Sequence, residues 1–105
     1  MNEEYIVYML RCCDGSLYTG ITNDAERRLA AHNAGTASKY TRTRCPVEMV
    51  YAERAADRSE ASRREAQIKR LTREQKLKMI GGDGNLIAEI RGLADSGGEP
   101  ARSGR

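Results

Sequence analysis

The stretch Tyr5-Ile6-Val7-Tyr8-Met9-Leu10-Arg11-Cys12-Cys13-Asp14-Gly15-Ser16-Leu17-Tyr18-Thr19-Gly20-Ile21 reads as two strands joined by a tight turn. Tyr5 to Cys12 carries apolar residues at both alternating positions, which is the pattern of a strand covered on both faces and so central in its sheet. Asp14-Gly15 is a strong hairpin signal, and Leu17 to Ile21 returns as the second strand. Two registers fit. A two-residue Asp-Gly turn pairs Arg11 with Tyr18 and Tyr8 with Ile21, setting Tyr8 and Tyr18 on opposite faces. A three-residue loop, Cys13-Asp14-Gly15 with Gly15 left-handed as a bulge, pairs Leu10 with Tyr18 and Tyr8 with Gly20. Both tyrosines then share one face, and Gly20 leaves open space beside Tyr8. Propensity permits either turn.

Downstream, Asn23 and Glu26 are spaced as a capping box for a helix from about Asp24 to Asn33. Arg28 and His32 are one turn apart on that helix and can act at one place. Asn33 to Pro46 reads as a loop rich in cations and hydroxyls, with one aromatic, the groups that contact phosphates, sugars and unstacked bases. Val47 to Glu53 is a third strand, with Val47, Met49 and Tyr51 alternating against Glu48 and Val50. Asp57-x-x-Glu60 starts a helix that runs to Leu71. Glu65 falls on the edge of its inward stripe, marked by Ala61, Ile68 and Leu71. A carboxylate there costs free energy unless a cation, a metal or a donor meets it. The bland alternative is a salt bridge to Arg64 or Lys69. Thr72-x-x-Gln75 caps a further helix to about Ile80, and Asn85 to Ile90 suits a last short one. The chain is therefore expected to form one α/β (α+β) domain over residues 1–91, with a three-stranded, mainly antiparallel sheet flanked by helices. From Gly92 to residue 105 its composition is that of a disordered tail.

The chain has 105 residues, enough for one modest core but not for separate catalytic and recognition domains. No apolar run approaches the roughly 20 residues of a membrane span, and the N-terminus lacks the form of a secretory signal, so a cytoplasmic protein is expected. Cys12, Cys13 and Cys45 have no C-x-x-C spacing, and there is one histidine, which argues for reduced thiols and against a zinc site. The net charge of +3 is unevenly spread: residues 39–79 hold twelve Arg and Lys against six Asp and Glu, a surplus of +6 between acidic flanks. Such a block suits a polyanion, although charge runs are commonly solvated helix faces.

With these elements in order, residues Tyr5 to about Ile80 resemble the GIY-YIG nuclease superfamily, in particular its small stand-alone bacterial members and the catalytic domain of branched-DNA structure-specific nucleases. Ile6-Val7-Tyr8 and Tyr18-Thr19-Gly20 look like its two motifs. Arg28 and His32 follow at the family's spacing, and Arg64-Glu65-Ala66 falls where the family's metal-binding glutamate would. His32-Asn33-Ala34-Gly35, Lys39-Tyr40-Thr41-Arg42 and Cys45-Pro46-Val47-Glu48-Met49-Val50 are similar to the branched-DNA subgroup. Ile6 stands where the first motif has glycine, which is expected to alter the backbone near Tyr8. The polar residue, often asparagine, that some relatives carry after the glutamate has no clear counterpart.

The resemblance implies a metal-dependent endonuclease hydrolysing DNA phosphodiesters, with branched or otherwise structured DNA favoured, a role in repair or recombination, and a further protein as a targeting partner. It implies Tyr8, Tyr18, Arg28, His32 and Glu65 as the catalytic set, with Glu65 holding one Mg²⁺ or Mn²⁺. Lys39, Tyr40, Arg42, Arg44 and Lys69 are the expected nucleic-acid contacts. A tyrosine, with an ordinary pKa of about 10, needs a cation to act as a base near neutrality, and Arg28 is the candidate. His32, ordinarily near 6.5, is the alternative base. A nucleic-acid-binding module with little cleavage, and a protein-interaction domain, are the other readings.

Overall fold

The structure, a computed structural model, describes residues 4–82 and 84–87. Strand β1 (Tyr5–Arg11) lies between β2 (Leu17–Thr22) and β3 (Glu48–Ala55), in a wholly antiparallel sheet of order β2-β1-β3. The register is that of the three-residue loop: Tyr8 pairs with Gly20 and Leu10 with Tyr18. Gly15 has φ +88°, a conformation that favours glycine, and the loop closes through Cys12 N to Ser16 O at 2.9 Å and Gly15 N to Cys12 O at 2.8 Å.

Helix α1 (Ala25–Asn33) is capped by Asp24, whose carboxylate accepts from Arg27 N. Asn23, the expected cap, is displaced by one position because Thr22 Oγ1 accepts from Asp24 N and turns the chain there. The expected loop from Asn33 to Pro46 contains a single helical turn, α2 (Lys39–Arg42), held by Ser38 Oγ accepting from Tyr40 N and Thr41 N. Helices α3 (Arg58–Lys69) and α4 (Arg73–Ile80) start at Asp57 and at the Thr72/Gln75 capping box, as their sequences indicate.

The sheet is covered on both faces, as the unbroken apolar pattern of β1 requires. Val7 and Met9 pack with Tyr51, Ala55 and α3 residues Ala61 and Ile68, while Tyr8 and Leu10 pack on the other face with Met49, Ala25 and Leu29. A bulge in β3 opposite Met9 and Leu10 sets Met49 and Tyr51 on opposite faces, where simple alternation put them together. Ile6 pairs with Thr22 and Arg54 in ordinary strand, and no described residue other than glycine has positive φ, so the substitution leaves the backbone beside Tyr8 regular. Asn85, not assignable from the sequence, ties the end of α4 to β3: it accepts from Ala52 N and Ile87 N and donates to Val50 O and Ile80 O. Of the short helix expected over Asn85 to Ile90, Asn85 and Leu86 are not helical and Ile87 is; residues 88–90, and the tail from Gly92, lie outside the described residues.

Thr19 Oγ1 is buried without a hydrogen-bond partner among the described residues. An unmet buried hydroxyl costs about 1 kcal/mol or more. Thr19→Val is therefore expected to raise stability by about 1 kcal/mol, read from urea unfolding with an unchanged slope.

Candidate active site

The hairpin register brings Tyr8 and Tyr18 to one face, and Gly20 makes room for them. A Cβ placed on Gly20 would lie 2.6 Å from Tyr8 Oη and 3.3 Å from Tyr18 Cε2, so the space above Gly20 is taken by the Tyr8 phenol. Tyr8 is 2% exposed and cannot swing clear. Gly20→Ala is thus expected to destabilise the fold by about 1–3 kcal/mol and to move the Tyr8 hydroxyl off its partner. Urea unfolding reads the first effect and a fall in cleavage rate reads the second.

That partner is His32. Tyr8 Oη lies 2.9 Å from His32 Nε2, and His32 Nδ1 lies 2.7 Å from Thr41 Oγ1. His32 and Thr41 are buried, at 1% and 0% exposure. Burial, reinforced by Tyr18 and Glu65 and opposed by Arg28, pushes the Tyr8 phenol well above its ordinary value. The expected lowering by Arg28 is present but is outweighed by loss of water. Tyr8 therefore keeps its proton and donates it to Nε2, which leaves the ring proton on Nδ1, donated to Thr41 Oγ1.

Burial, with Arg28 adding to it, pulls His32 below its ordinary value, so the ring is neutral near pH 7. A histidine depressed on folding contributes stability that is complete above about pH 6.5 and is lost as pH falls through the folded value. As the chain has one histidine, a proton NMR titration resolves it directly. The expected midpoint is below that of the unfolded chain, with stability declining as the solution is acidified past about pH 6.5.

The turn α2 completes the wall. The Tyr18 ring lies edge-on to His32 at 5.2 Å between centroids and tilts against Tyr40 at 5.7 Å. Arg44 lies 4.1 Å over the Tyr40 ring, pairs with Asp14 at 3.0 Å and donates to Tyr40 O. Cys45 Sγ donates to His32 O and Thr41 O, and Asn33 exchanges hydrogen bonds with the Val47 backbone, fixing the end of α1 against the start of β3. Thr41 and Ser38 were invisible as site residues in the sequence. Their signal was the Ser-x-x-Thr spacing of a capped turn, which a loop reading passes over.

Of the expected catalytic set, Tyr8, Tyr18 and His32 are in contact. Arg28 is exposed one turn before His32, and its field reaches both His32 and Tyr8. Glu65 also acts on Tyr8 electrostatically, although α3 packs against the opposite face of the sheet. Its side chain is 24% exposed and is paired with Lys69 at 3.2 Å. Among the expected nucleic-acid contacts, Lys69 and Arg44 already hold carboxylates, whereas Lys39, Arg42 and Tyr40 are exposed. No group of three or more His, Cys, Asp or Glu gathers among the described residues as a protein-built metal cage. A single partly exposed carboxylate does fit a hard divalent cation that takes its remaining ligands from water and a substrate phosphate.

An α+β domain in which a hairpin glycine seats two tyrosines against a helix-borne histidine has the architecture of a GIY-YIG catalytic domain. The chain belongs to the GIY-YIG family, whose catalytic-domain model matches residues 4–78. It is 54% identical over 77 residues to UPF0213 protein SH2523 of Staphylococcus haemolyticus, covering 73% of this chain and 94% of that protein. It is 48% identical over 80 residues to UPF0213 protein NP_0776A of Natronomonas pharaonis, covering 76% and 94%. The solution NMR structure of UPF0213 protein BH0048 from Bacillus halodurans is similar, with a TM-score of 0.51 and 36% identity over 87% of this chain and 97% of that one. Membership points to nuclease activity, and nucleases of this family generally use a divalent metal ion. No helix among the described residues is long and apolar enough to cross a membrane.

Proposed function

We propose that this chain is an endonuclease that hydrolyses DNA phosphodiesters, with water activated through the Tyr8–His32 pair. The observation that carries the reading is the 2.9 Å contact between the Tyr8 hydroxyl and the Nε2 of a buried imidazole. As water attacks phosphorus, its proton passes to Tyr8 Oη while the phenolic proton moves to His32 Nε2. The imidazole is the sink that lets a high-pKa phenol act as a base, and Thr41 Oγ1 accepts from Nδ1–H throughout. One phosphorus–oxygen ester bond breaks, and the departing alkoxide takes a proton from solvent. Arg28 offers a planar cation for the phosphoryl oxygens, and Tyr18 lines the same wall. Glu65 would hold the divalent ion, Mg²⁺ or Mn²⁺, which when bound supplies further positive charge to the phosphate. In this reading branched or otherwise structured DNA is the substrate, repair or recombination is the setting, and the cytoplasm is the site of action.

The test is a panel of four-way, flapped, nicked and plain duplex DNAs incubated with the protein and Mg²⁺ or Mn²⁺, or with chelator. Cleavage in metal alone, strongest on the branched members, is the expected result. Binding of every DNA with no cut in any would identify a binding module instead. Failure to bind DNA at low salt, alongside a stable protein partner, would identify an interaction domain.

A further inference from the structure

The cations of this domain divide by what they already hold. Arg11, Arg44, Arg64 and Lys69 are paired with Glu48, Asp14, Glu53 and Glu65. The basic block that dominates the sequence is therefore partly spent on internal partners. Arg27, Arg28 and Arg58 pair with no carboxylate among the described residues, although all three are exposed.

These three surround two adjoining hollows. One, of about 290 Å³, has Arg27 and Arg28 in its wall, and the other, of about 150 Å³, has Arg28 and Arg58 with Tyr5. Thr22, Asn23 and Arg28 line both, so the two hollows adjoin and form one furrow at Arg28. Asp24 is the carboxylate in that lining, and its Oδ1 is engaged by Arg27 N at the start of α1. The furrow thus presents three cations against one carboxylate, and Arg28, common to both hollows, is the arginine whose field reaches Tyr8 and His32. A strand of nucleic acid carries one negative charge every ~3.4 Å along its axis, and several unpaired arginines lining one furrow are suited to neighbouring phosphates.

Resting on the nuclease reading, we propose that the furrow on either side of Arg28, flanked by Arg27 and Arg58, seats the backbone phosphates that neighbour the scissile one. The substrate strand then crosses the junction of β2 and α1 and runs toward the start of α3, with Tyr5 beside the Arg58 end. Arg27 and Arg58 are binding residues, not catalytic ones.

The test compares wild type with Arg27→Ala/Arg58→Ala and Arg27→Lys/Arg58→Lys, all first checked by circular dichroism and thermal unfolding. Binding of a labelled four-way junction is measured in chelator across a salt series, and cleavage kinetics in Mg²⁺ or Mn²⁺. In the alanine variant, affinity is expected to fall about tenfold near 0.15 M salt, and the slope of log K against log salt to shrink by about two. The loss of kcat/KM is expected to be carried mainly by KM, and the lysine variant to recover the slope. An alanine variant with wild-type affinity and slope, beside a wild type that binds and cuts, overturns this proposal and leaves the nuclease reading standing. A loss confined to kcat overturns it as well. A wild type that neither binds nor cuts DNA but binds an acidic protein overturns both.

Discussion

Tyr8→Phe is expected to lower the single-turnover rate of DNA cleavage by about 10³-fold, within the range for removal of a positioned acid–base group. The phenyl ring keeps the packing of the Tyr8 side chain over Gly20, so the sheet and hairpin register are retained. The substitution leaves His32 Nε2 buried without its donor, at a cost of about 1–3 kcal/mol in stability, and the rate is therefore measured well below the midpoint of unfolding. Tyr8 and His32 are alternatives as the base only if they act separately. In the proposed relay their contact lets Tyr8 take the proton from water as its own phenolic proton passes to His32. If His32 took the proton from water directly, Tyr8→Phe would retain cleavage within a few-fold, and that result would exclude the relay. In wild type, acidification charges His32 and removes the acceptor, so cleavage is expected to fall on the acid side, below about pH 6.5. The depressed His32 value leaves the ring able to accept a proton at neutrality, as the proposed relay requires.

The hairpin shows how far the sequence carries this site and where it stops. Tyr8, Tyr18 and Gly20 are legible as strand residues, but whether they share a face turns on a loop that local propensity leaves open. What selects the three-residue loop comes from far along the chain. Cys13 N donates to Arg44 O, Arg44 pairs with Asp14, and Arg73 donates to Gly15 O. These contacts form only in the folded domain. The same holds for Thr41, which a run of polar residues disguises as loop, and for the β3 bulge that parts Met49 from Tyr51. Asn85 is the extreme case: every polar atom of its side chain amide is met by backbone from β3, α4 or its own turn, and no periodicity marks it. The helices were more legible because their signals are local. Asp57 and Thr72 cap within three residues of themselves.

Glu65→Ala is expected to reduce metal-dependent cleavage by at least about 10³-fold, the loss of several kcal/mol of charge stabilisation at the phosphate. Its effect on binding has the opposite sign. Glu65 holds Lys69 at 3.2 Å, and removing the carboxylate both deletes a negative charge from a polyanion site and frees that cation. DNA affinity in chelator is accordingly expected to hold or tighten, with the salt slope steepening by up to about one. Stability is expected to change by no more than about 0.5 kcal/mol, since the pair spans one helical turn and is partly solvated. Whether cleavage survives, and not the binding change, separates two roles for this residue. If Glu65 served only to fix α3 or to restrain Lys69, the alanine variant would bind more tightly and still cut when Mn²⁺ is supplied. Tighter binding joined to lost cleavage, with the fold intact, places the carboxylate in the chemistry while it also restrains Lys69.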